Sequence, residues 1–225
     1  KPAVTFDPIY VGTYAGNGEA GFADGISTTA KFNYPTGVAA DAFGNVYVAD
    51  NMNHRIRKIT PQGFVSTFAG NGSPGFSDGL EINAQFNRPH GLAVDNLGNV
   101  YVADVNNHRI RKITPAGVVS TLAGNGTGGF ADGEGSAAQF NFPQGVTVDA
   151  EGNVFVADTY NQRIRKITPT GFVSTIAGNG LDFSEDGYGT DAQFLTPNGL
   201  AFDMQGNLFI TQFYSNLRKM NKLEY

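Results

Sequence analysis

Short runs of alternating apolar and polar residues recur along the chain, and clusters of Gly, Asn, Asp and Pro separate them. Val46–Ala49, Arg55–Thr60 and Phe64–Ala69 follow the period of two that is typical of β-strands. The sequence Asp-x-x-Gly-Asn at residues 41–45 predicts a tight turn, because Asp and Asn bond their own backbone and Gly tolerates positive φ. With Gly37–Asp41 before that turn, each unit predicts four short antiparallel strands.

The strand pattern repeats every 54 residues. Ala-Gly-Asn-Gly begins at residues 15, 69, 123 and 177, and Pro-x-Gly begins at residues 35, 89, 143 and 197. A fixed period of this size, with four strands in each unit, is typical of a propeller blade. We therefore predict an all-β, four-bladed β-propeller in a single domain, residues 1–225. The predicted blade repeats cover about 10–63, 64–117, 118–171 and 172–225.

The two ends of the chain have complementary strand patterns. Ile9–Ala15 matches a fourth strand, whereas Leu217–Lys222 matches a third strand. Pairing between them would close the ring and remove an exposed edge, so we expect the N-terminal strand to complete the last blade. The alternative is a fragment of a six-bladed propeller. A further domain upstream of Lys1 is also compatible with the sequence.

Composition excludes several classes of function. Hydrophobic residues make up 40% of the chain, which suffices for a packed core, and no apolar run reaches the length of a membrane span. The net charge of −5 argues against a nucleic-acid partner. Cysteine is absent, which excludes disulfides, thiol catalysis and Cys-ligated zinc.

The repeat motifs resemble a known family. Pro89–Asp95, Gly98–Asp104 and Asn107–Ile113 together are similar to an NHL repeat, and the similarity extends over nearly the whole chain. The resemblance implies a β-propeller but no single function, since relatives include protein-binding and RNA-binding modules and a few lyases. The long units with Ala-Gly-Asn-Gly look most like exported bacterial NHL proteins. This resemblance implies an extracellular, cell-surface or periplasmic location.

Comparing the four repeats separates scaffold from site, because a residue kept in every blade serves the blade. The third-strand arginines recur in this way, and we expect some to pair with Asp50, Asp104 and Asp158. The acids at 41, 95, 149 and 203 are predicted to cap turns, and those at 24, 78, 132 and 186 to brace loops. The last repeat departs from the pattern, with Gln212 at the position of the paired Asp.

Variable positions gather on the face with the longer loops, where a scaffold is expected to carry its binding site. They combine aromatic rings with amide, hydroxyl and charged groups, which suits recognition of a glycan or a peptide. We therefore predict a non-catalytic binding module for a glycan, peptide or protein partner. The candidate ligand-binding residues are Tyr34, Arg88, His90, Phe142, Gln144, Tyr160, Asn198 and Tyr214. A face with scattered, solvated aromatics is the plain alternative.

Catalysis is the second hypothesis, with a metal-dependent lyase or hydrolase site near His90 at the channel mouth. The matching residues Thr36, Gln144 and Asn198 are poor zinc ligands, which argues against it. His54 and His108 occupy equivalent positions and are interpreted as surface variation. No cofactor is predicted apart from a weak calcium site at Asp182, Ser184 and Asp186, where oxygens alternate before a Gly.

Overall fold

The computed structural model describes residues 11–213 and 216–221. Within these ranges the chain is built from short antiparallel strands, and its helical residues are confined to three-residue 3₁₀ turns. The strands form four small sheets that follow one another around a central axis, as the four blades of a β-propeller. The predicted all-β fold and the predicted number of blades are confirmed.

The strands of each blade follow the order of the chain from the axis outwards, and a two-residue strand from the preceding loop adds to the outer edge of blades 1–3. Blade 1 contains β1 (Gly25–Ile26), β2 (Pro35–Ala40), β3 (Val46–Asp50), β4 (Arg55–Ile59) and β5 (Phe64–Ala69). Blade 2 contains β6 (Gly79–Leu80), β7 (Pro89–Val94), β8 (Val100–Asp104), β9 (Arg109–Ile113) and β10 (Val118–Ala123). Blade 3 contains β11 (Gly133–Glu134), β12 (Val146–Val148), β13 (Val154–Asp158), β14 (Arg163–Ile167) and β15 (Phe172–Ala177). Blade 4 contains β16 (Pro197–Phe202), β17 (Leu208–Gln212) and β18 (Leu217–Met220).

The 3₁₀ turns occupy two kinds of loop. Those between the second and third long strands are Asn51–Asn53, Val105–Asn107 and Thr159–Asn161. Those in the long loops that connect blades are Glu81–Asn83, Gly135–Ala137 and Gly189–Asp191. Both kinds open onto one face of the propeller, which we call the loop face, whereas the Asp-x-x-Gly-Asn turns lie on the opposite turn face.

The hydrophobic core lies between blades rather than inside one sheet. Each blade has a forward face, towards the next blade, and a rear face, towards the preceding blade. The forward face of blade 1 presents Tyr47 and Ile56 to Leu92, Val100 and Val102 on the rear face of blade 2. The same arrangement recurs between blades 2 and 3 and between blades 3 and 4. Burial of these alternating apolar side chains holds consecutive blades against one another.

The predicted closing strand is not seen among the described residues. Residues 11–15 have no strand assignment, and the described sheet of blade 4 contains three strands. Ile9, at the start of the predicted closing strand, and Lys222, at the end of its predicted partner, lie outside the described residues. Four blades are therefore established, whereas closure by the N-terminal strand stays a prediction.

Candidate functional site

A fully buried arginine in each of blades 1–3 ties the loop face to the sheet below it. Arg111 donates to Asp104 at 2.7 Å and to Asp78 at 2.7 Å, and it also donates to the carbonyl oxygens of Gln85 and Ser77. Its guanidinium lies over the rings of Phe76 and Phe86. Arg57 and Arg165 make equivalent ion pairs in blades 1 and 3. The predicted pairing and the bracing role of the loop acids are thus confirmed.

Two opposing effects act on the pKa of Asp158, the paired aspartate of blade 3. Burial raises the pKa of Asp158 to about 6, although Arg165 at 2.6 Å and the N–H groups of Asn141 and Asn161 favour the charged form. Asp158 Oδ1 accepts from the backbone N–H of Asn141, which lies two residues before Pro143. The ion pair therefore also holds the segment that carries the predicted site residues.

The residue before each repeated Pro has an unusual backbone. Tyr34, Arg88, Phe142 and Thr196 all have positive φ, between 46° and 56°. This left-handed region is uncommon for residues other than Gly. It turns the chain sharply at the loop face just before the innermost strand begins, so these four variable side chains occupy matching positions in the four blades.

Histidines stabilise two of these turns. The backbone N–H of Arg88 donates to His54 Nδ1, and that of Phe142 donates to His108 Nδ1, both at 3.2 Å. An Nδ1 atom that accepts a hydrogen bond requires a neutral imidazole with its proton on Nε2. Burial lowers the pKa of both histidines, with smaller contributions from Arg88 and Arg55 at His54 and from Arg109 at His108. Both side chains position turns of the candidate site, so the interpretation as surface variation was wrong. Each histidine lies 34 residues before the residue whose N–H it accepts, and this constant spacing was the available signal.

An aromatic cluster stands on the loop face between blades 2 and 3. The rings of His108 and Phe142 meet edge to face with centroids 4.6 Å apart, and those of Phe142 and Tyr160 do so at 5.3 Å. Tyr160 is 55% exposed, and its backbone N–H donates to the carbonyl oxygen of Asn141. The structure thus brings Phe142 and Tyr160 together, and it adds His108, which the sequence analysis did not place in the site.

The residues after each repeated Pro lie on the innermost strands, around the axis. At Gly91, a Cβ atom would collide with the carbonyl oxygen of Gln144 on the next blade, and at Gly145 it would collide with that of Asn198. Only Gly permits this approach of neighbouring backbones. Pro-x-Gly therefore places His90, Gln144 and Asn198 on consecutive blades beside the axis, as the sequence predicted for the channel mouth.

His90 and its neighbours are polar but not strongly charged. Burial lowers the pKa of His90, so its imidazole is neutral at neutral pH. Asn198 Oδ1 accepts from the hydroxyl of Thr211 at 2.7 Å, and Thr36 donates to the carbonyl oxygens of Pro89 and His90. Among the described residues, no group of three His, Cys, Asp or Glu side chains is placed to hold a metal ion.

The remaining predicted ligand-binding residues are dispersed. Tyr34 is 71% exposed on blade 1, and Arg88 is exposed on blade 2. Tyr214 lies outside the described residues. Three consecutive blades therefore each present an exposed or half-buried side chain of a different kind at the same turn.

The predicted calcium site has its oxygen atoms engaged by the protein. Ser184 Oγ accepts from Gln212, Asn216 and Arg218, and Asp186 pairs with Arg218 at 2.9 Å. A cation would therefore compete with a guanidinium for Asp186. Asp182 is exposed. The weak calcium site stays a prediction, and these contacts lend it no support.

The turn face carries a cleft between blades 3 and 4 that the sequence analysis overlooked. It has a volume of 470 Å³ and is lined by Phe155, Phe202 and Met220 below a rim that includes Asp149 and Asp203. The carboxylate of Asp203 accepts three hydrogen bonds from its own turn, and the bond from the Asn207 side chain most strongly lowers its pKa. Asp149 and Asp203 thus cap their own turns, as predicted.

Comparison with known proteins agrees with this architecture. The NHL repeat family matches residues 32–59, 86–113 and 140–167, which are the stretches from the pre-proline loop to the third long strand of blades 1–3. The protein is an NHL-repeat β-propeller. Within the described residues, no helix has the length and apolar character needed to cross a membrane.

Individual relatives of this NHL propeller differ widely in their descriptions. It is 34% identical over 166 residues to "Protein SUPPRESSOR OF QUENCHING 1, chloroplastic" of Arabidopsis thaliana, covering 68% of this chain and 16% of that protein. An auxiliary nutrient binding protein from Bacteroides thetaiotaomicron superposes with a TM-score of 0.64 at 20% identity, over 80% of this chain and 46% of the other. Virginiamycin B lyase from Staphylococcus aureus gives a TM-score of 0.53 at 13% identity, over 83% and 55% of the two chains. The chain thus spans a small part of the curated relative, and the two solved structures share its fold.

Proposed function

We propose that the loop face of this NHL propeller binds an extended peptide or glycan, on its own or as part of a protein partner, without chemical conversion. The proposal depends on the cluster of His108, Phe142 and Tyr160, which is partly exposed. Edge-to-face ring contacts and the hydrogen bond from the Phe142 N–H to His108 Nδ1 hold this cluster in place. Around the same face, the equivalent turn of each blade carries a different side chain. An exported bacterial setting, implied by the sequence resemblance, belongs to the same proposal.

Preorganisation supports a binding role for the aromatic cluster. The backbone N–H of Phe142 donates to His108 Nδ1, and the N–H of the preceding Asn141 donates to the ion-paired Asp158. The backbone N–H of Tyr160 donates to the carbonyl oxygen of Asn141. A ligand that stacks on these rings loses little side-chain entropy of the protein, since the rings are already ordered. The hydroxyl of Tyr160 and the neutral amide of Gln144 add polar groups that can orient a sugar or a peptide bond.

A thermal-shift screen with oligosaccharides and synthetic peptides tests this proposal, because a ligand that binds only the folded state raises the melting temperature. The same screen on a Phe142→Ala/Tyr160→Ala variant should lose the shifts. Leu97→Ala provides a matched control, since Leu97 is 80% exposed on the turn face. Shifts that persist in the double variant but disappear in Leu97→Ala would place binding on the other face.

Catalysis near His90 is the second candidate, and one observation favours it. Burial keeps the imidazole of His90 neutral, which is the form that accepts a proton or ligates a metal. Elemental analysis of the purified protein, with His90→Gln as the matched variant, separates the two candidates. Stoichiometric metal that is lost in His90→Gln would favour the catalytic candidate over the binding module.

A further inference from the structure

Three uncharged polar residues from consecutive blades lie side by side at the axis of the loop face. His90, Gln144 and Asn198 each follow a repeated Pro at the start of an innermost strand. The backbone N–H of Gly91 donates to the carbonyl oxygen of Gln144 at 3.0 Å, and Gly145 lies against the carbonyl oxygen of Asn198. The three residues are therefore neighbours around the axis, and we call them the axial group.

The axial group has hydrogen-bonding capacity that the described part of the chain does not use. Asn198 Oδ1 accepts from the hydroxyl of Thr211 at 2.7 Å, which leaves the NH₂ group of Asn198 as a donor. Among the described residues, neither the imidazole of His90 nor the side-chain amide of Gln144 has a hydrogen-bond partner. Neither side chain has a buried polar atom without a partner, so solvent reaches these groups.

The surroundings of the axial group carry little charge. Burial alone lowers the pKa of His90, with no contribution from a charged group of the described chain. At His54 and His108, by contrast, arginines contribute to the lowered pKa. A carboxylate or an ammonium group of a ligand would lose water at the axis without gaining an opposite charge, which is costly. The axial group therefore suits an uncharged polar group, such as an amide.

The aromatic cluster begins two residues from the axial group. Phe142 and Gln144 flank Pro143, and two residues span at most about 7 Å of chain. Phe142 meets Tyr160 edge to face, and more than half of Tyr160 is exposed on the loop face. A sugar ring that stacks on these aromatic side chains would therefore carry its substituents to the neighbourhood of Gln144.

Two features of this surface favour a sugar over a peptide. An extended peptide is recognised along a free strand edge or through pockets for its side chains. The innermost strand β7 offers no free edge at Gly91, because its N–H already donates to Gln144 on the next blade. Tyr160 is 55% exposed, so it presents a ring surface rather than the wall of a pocket. An exposed aromatic ring beside fixed polar groups suits the flat face of a sugar.

We propose that the loop face recognises an N-acetylated sugar, with the sugar ring on Phe142 and Tyr160 and the acetamido group at Gln144 and Asn198. An acetamido group is uncharged, donates one hydrogen bond and accepts others, which complements the two side-chain amides. His90 adds one donor and one acceptor beside them. The inference rests on the proposed function and narrows its ligand to one class of glycan.

Isothermal titration with two matched probes tests this inference. The probes are β-1,4-linked tetramers of N-acetylglucosamine and of glucose, which differ only at C2, where one has an acetamido group and the other a hydroxyl group. The wild type should bind the first at least about tenfold more tightly, as expected for one or two additional hydrogen bonds. That preference should disappear in Gln144→Leu/Asn198→Leu and fall at least about threefold in the milder Gln144→Leu. Leu97→Ala, on the turn face, is the control and should keep it.

Three results would overturn the inference. One is equal affinity of the wild type for the two tetramers. Another is a preference that persists in Gln144→Leu/Asn198→Leu while the circular dichroism spectrum shows a folded protein. The third is a wild type that binds neither tetramer. In that case the proposed function would still stand if peptides bind and lose affinity in Phe142→Ala/Tyr160→Ala, so the two failures are distinguishable.

Discussion

The arginine of blade 2 and that of blade 4 occupy equivalent places in two different environments. Arg111 is fully buried between Asp104 and Asp78 and lies over Phe76. In blade 4, Arg218 has Gln212 in place of the buried aspartate and Ser184 in place of that phenylalanine. Ser184 Oγ accepts from Gln212, Asn216 and Arg218, so one hydroxyl replaces a carboxylate oxygen.

This pair of replacements shows how a repeat loses its buried carboxylate while the donors that the carboxylate would serve keep an acceptor. Gln212 Oε1 accepts from the backbone N–H of Leu195, as Asp104 Oδ1 accepts from that of Asn87. The remaining charged partner, Asp186, is almost fully exposed. The ion pair of blade 4 is therefore at the surface, where solvent weakens it, whereas that of blade 2 is shielded.

Removing the arginine should have the largest effect and should separate the two blades. Arg111→Leu leaves Asp104 buried without its cation, so we expect a loss of about 3–5 kcal/mol in the free energy of unfolding. Arg218→Leu should cost about 1–2 kcal/mol, because it mainly removes hydrogen bonds to Ser184 and two carbonyl groups. Urea unfolding of both variants measures the difference. Equal losses would refute the contrast between the blades.

Removing the hydroxyl of Ser184 should have an intermediate effect. Ser184→Ala deprives three donors of their common acceptor, and we expect a loss of about 1–2 kcal/mol in the free energy of unfolding. Ser120→Ala, at an exposed position of β10, is the control and should change stability by less than about 0.5 kcal/mol. If the two serine variants were equally stable, Ser184 would not be the replacement for the carboxylate.

Protonation of the two loop-face histidines should give the smallest effect. Since burial lowers the pKa of His54 and His108 in the folded state, the unfolded chain binds protons more readily. Their contribution to stability is complete above the unfolded pKa of about 6.5 and is lost as the pH falls through the range below it. The free energy of unfolding of the wild type should be lower at pH 5.5 than at pH 7.5. This decrease should be smaller in a His54→Gln/His108→Gln variant. An identical pH dependence would contradict the role of Nδ1 as an acceptor.

The fold was predictable because it depends on features that recur. Alternating apolar residues such as Val100 and Val102 define the strands, and Asp95 with Asn99 defines the turn between them. Asp95 does cap that turn: burial alone would raise its pKa, but hydrogen bonds from Asn99, Tyr101 and Leu97 hold it below the usual value. Repetition made each of these assignments testable four times within one sequence.

The candidate site was only partly predictable, since it depends on contacts between residues far apart in the chain. Variation among blades identified Phe142 and Tyr160 but not His108, whose role requires the left-handed backbone at Phe142. The replacement of a phenylalanine by Ser184 is visible in the sequence only once its contact with Gln212 is known.

The central claim is that ligands bind the loop face, and isothermal titration tests it most directly. The probe is the oligosaccharide or peptide that gives the largest thermal shift with the wild type. Loss of the aromatic rings in Phe142→Ala/Tyr160→Ala should weaken binding at least about tenfold, which corresponds to about 1.4 kcal/mol. Leu97→Ala should bind as the wild type does. Unchanged affinity in the double variant, with both proteins folded, would contradict the claim.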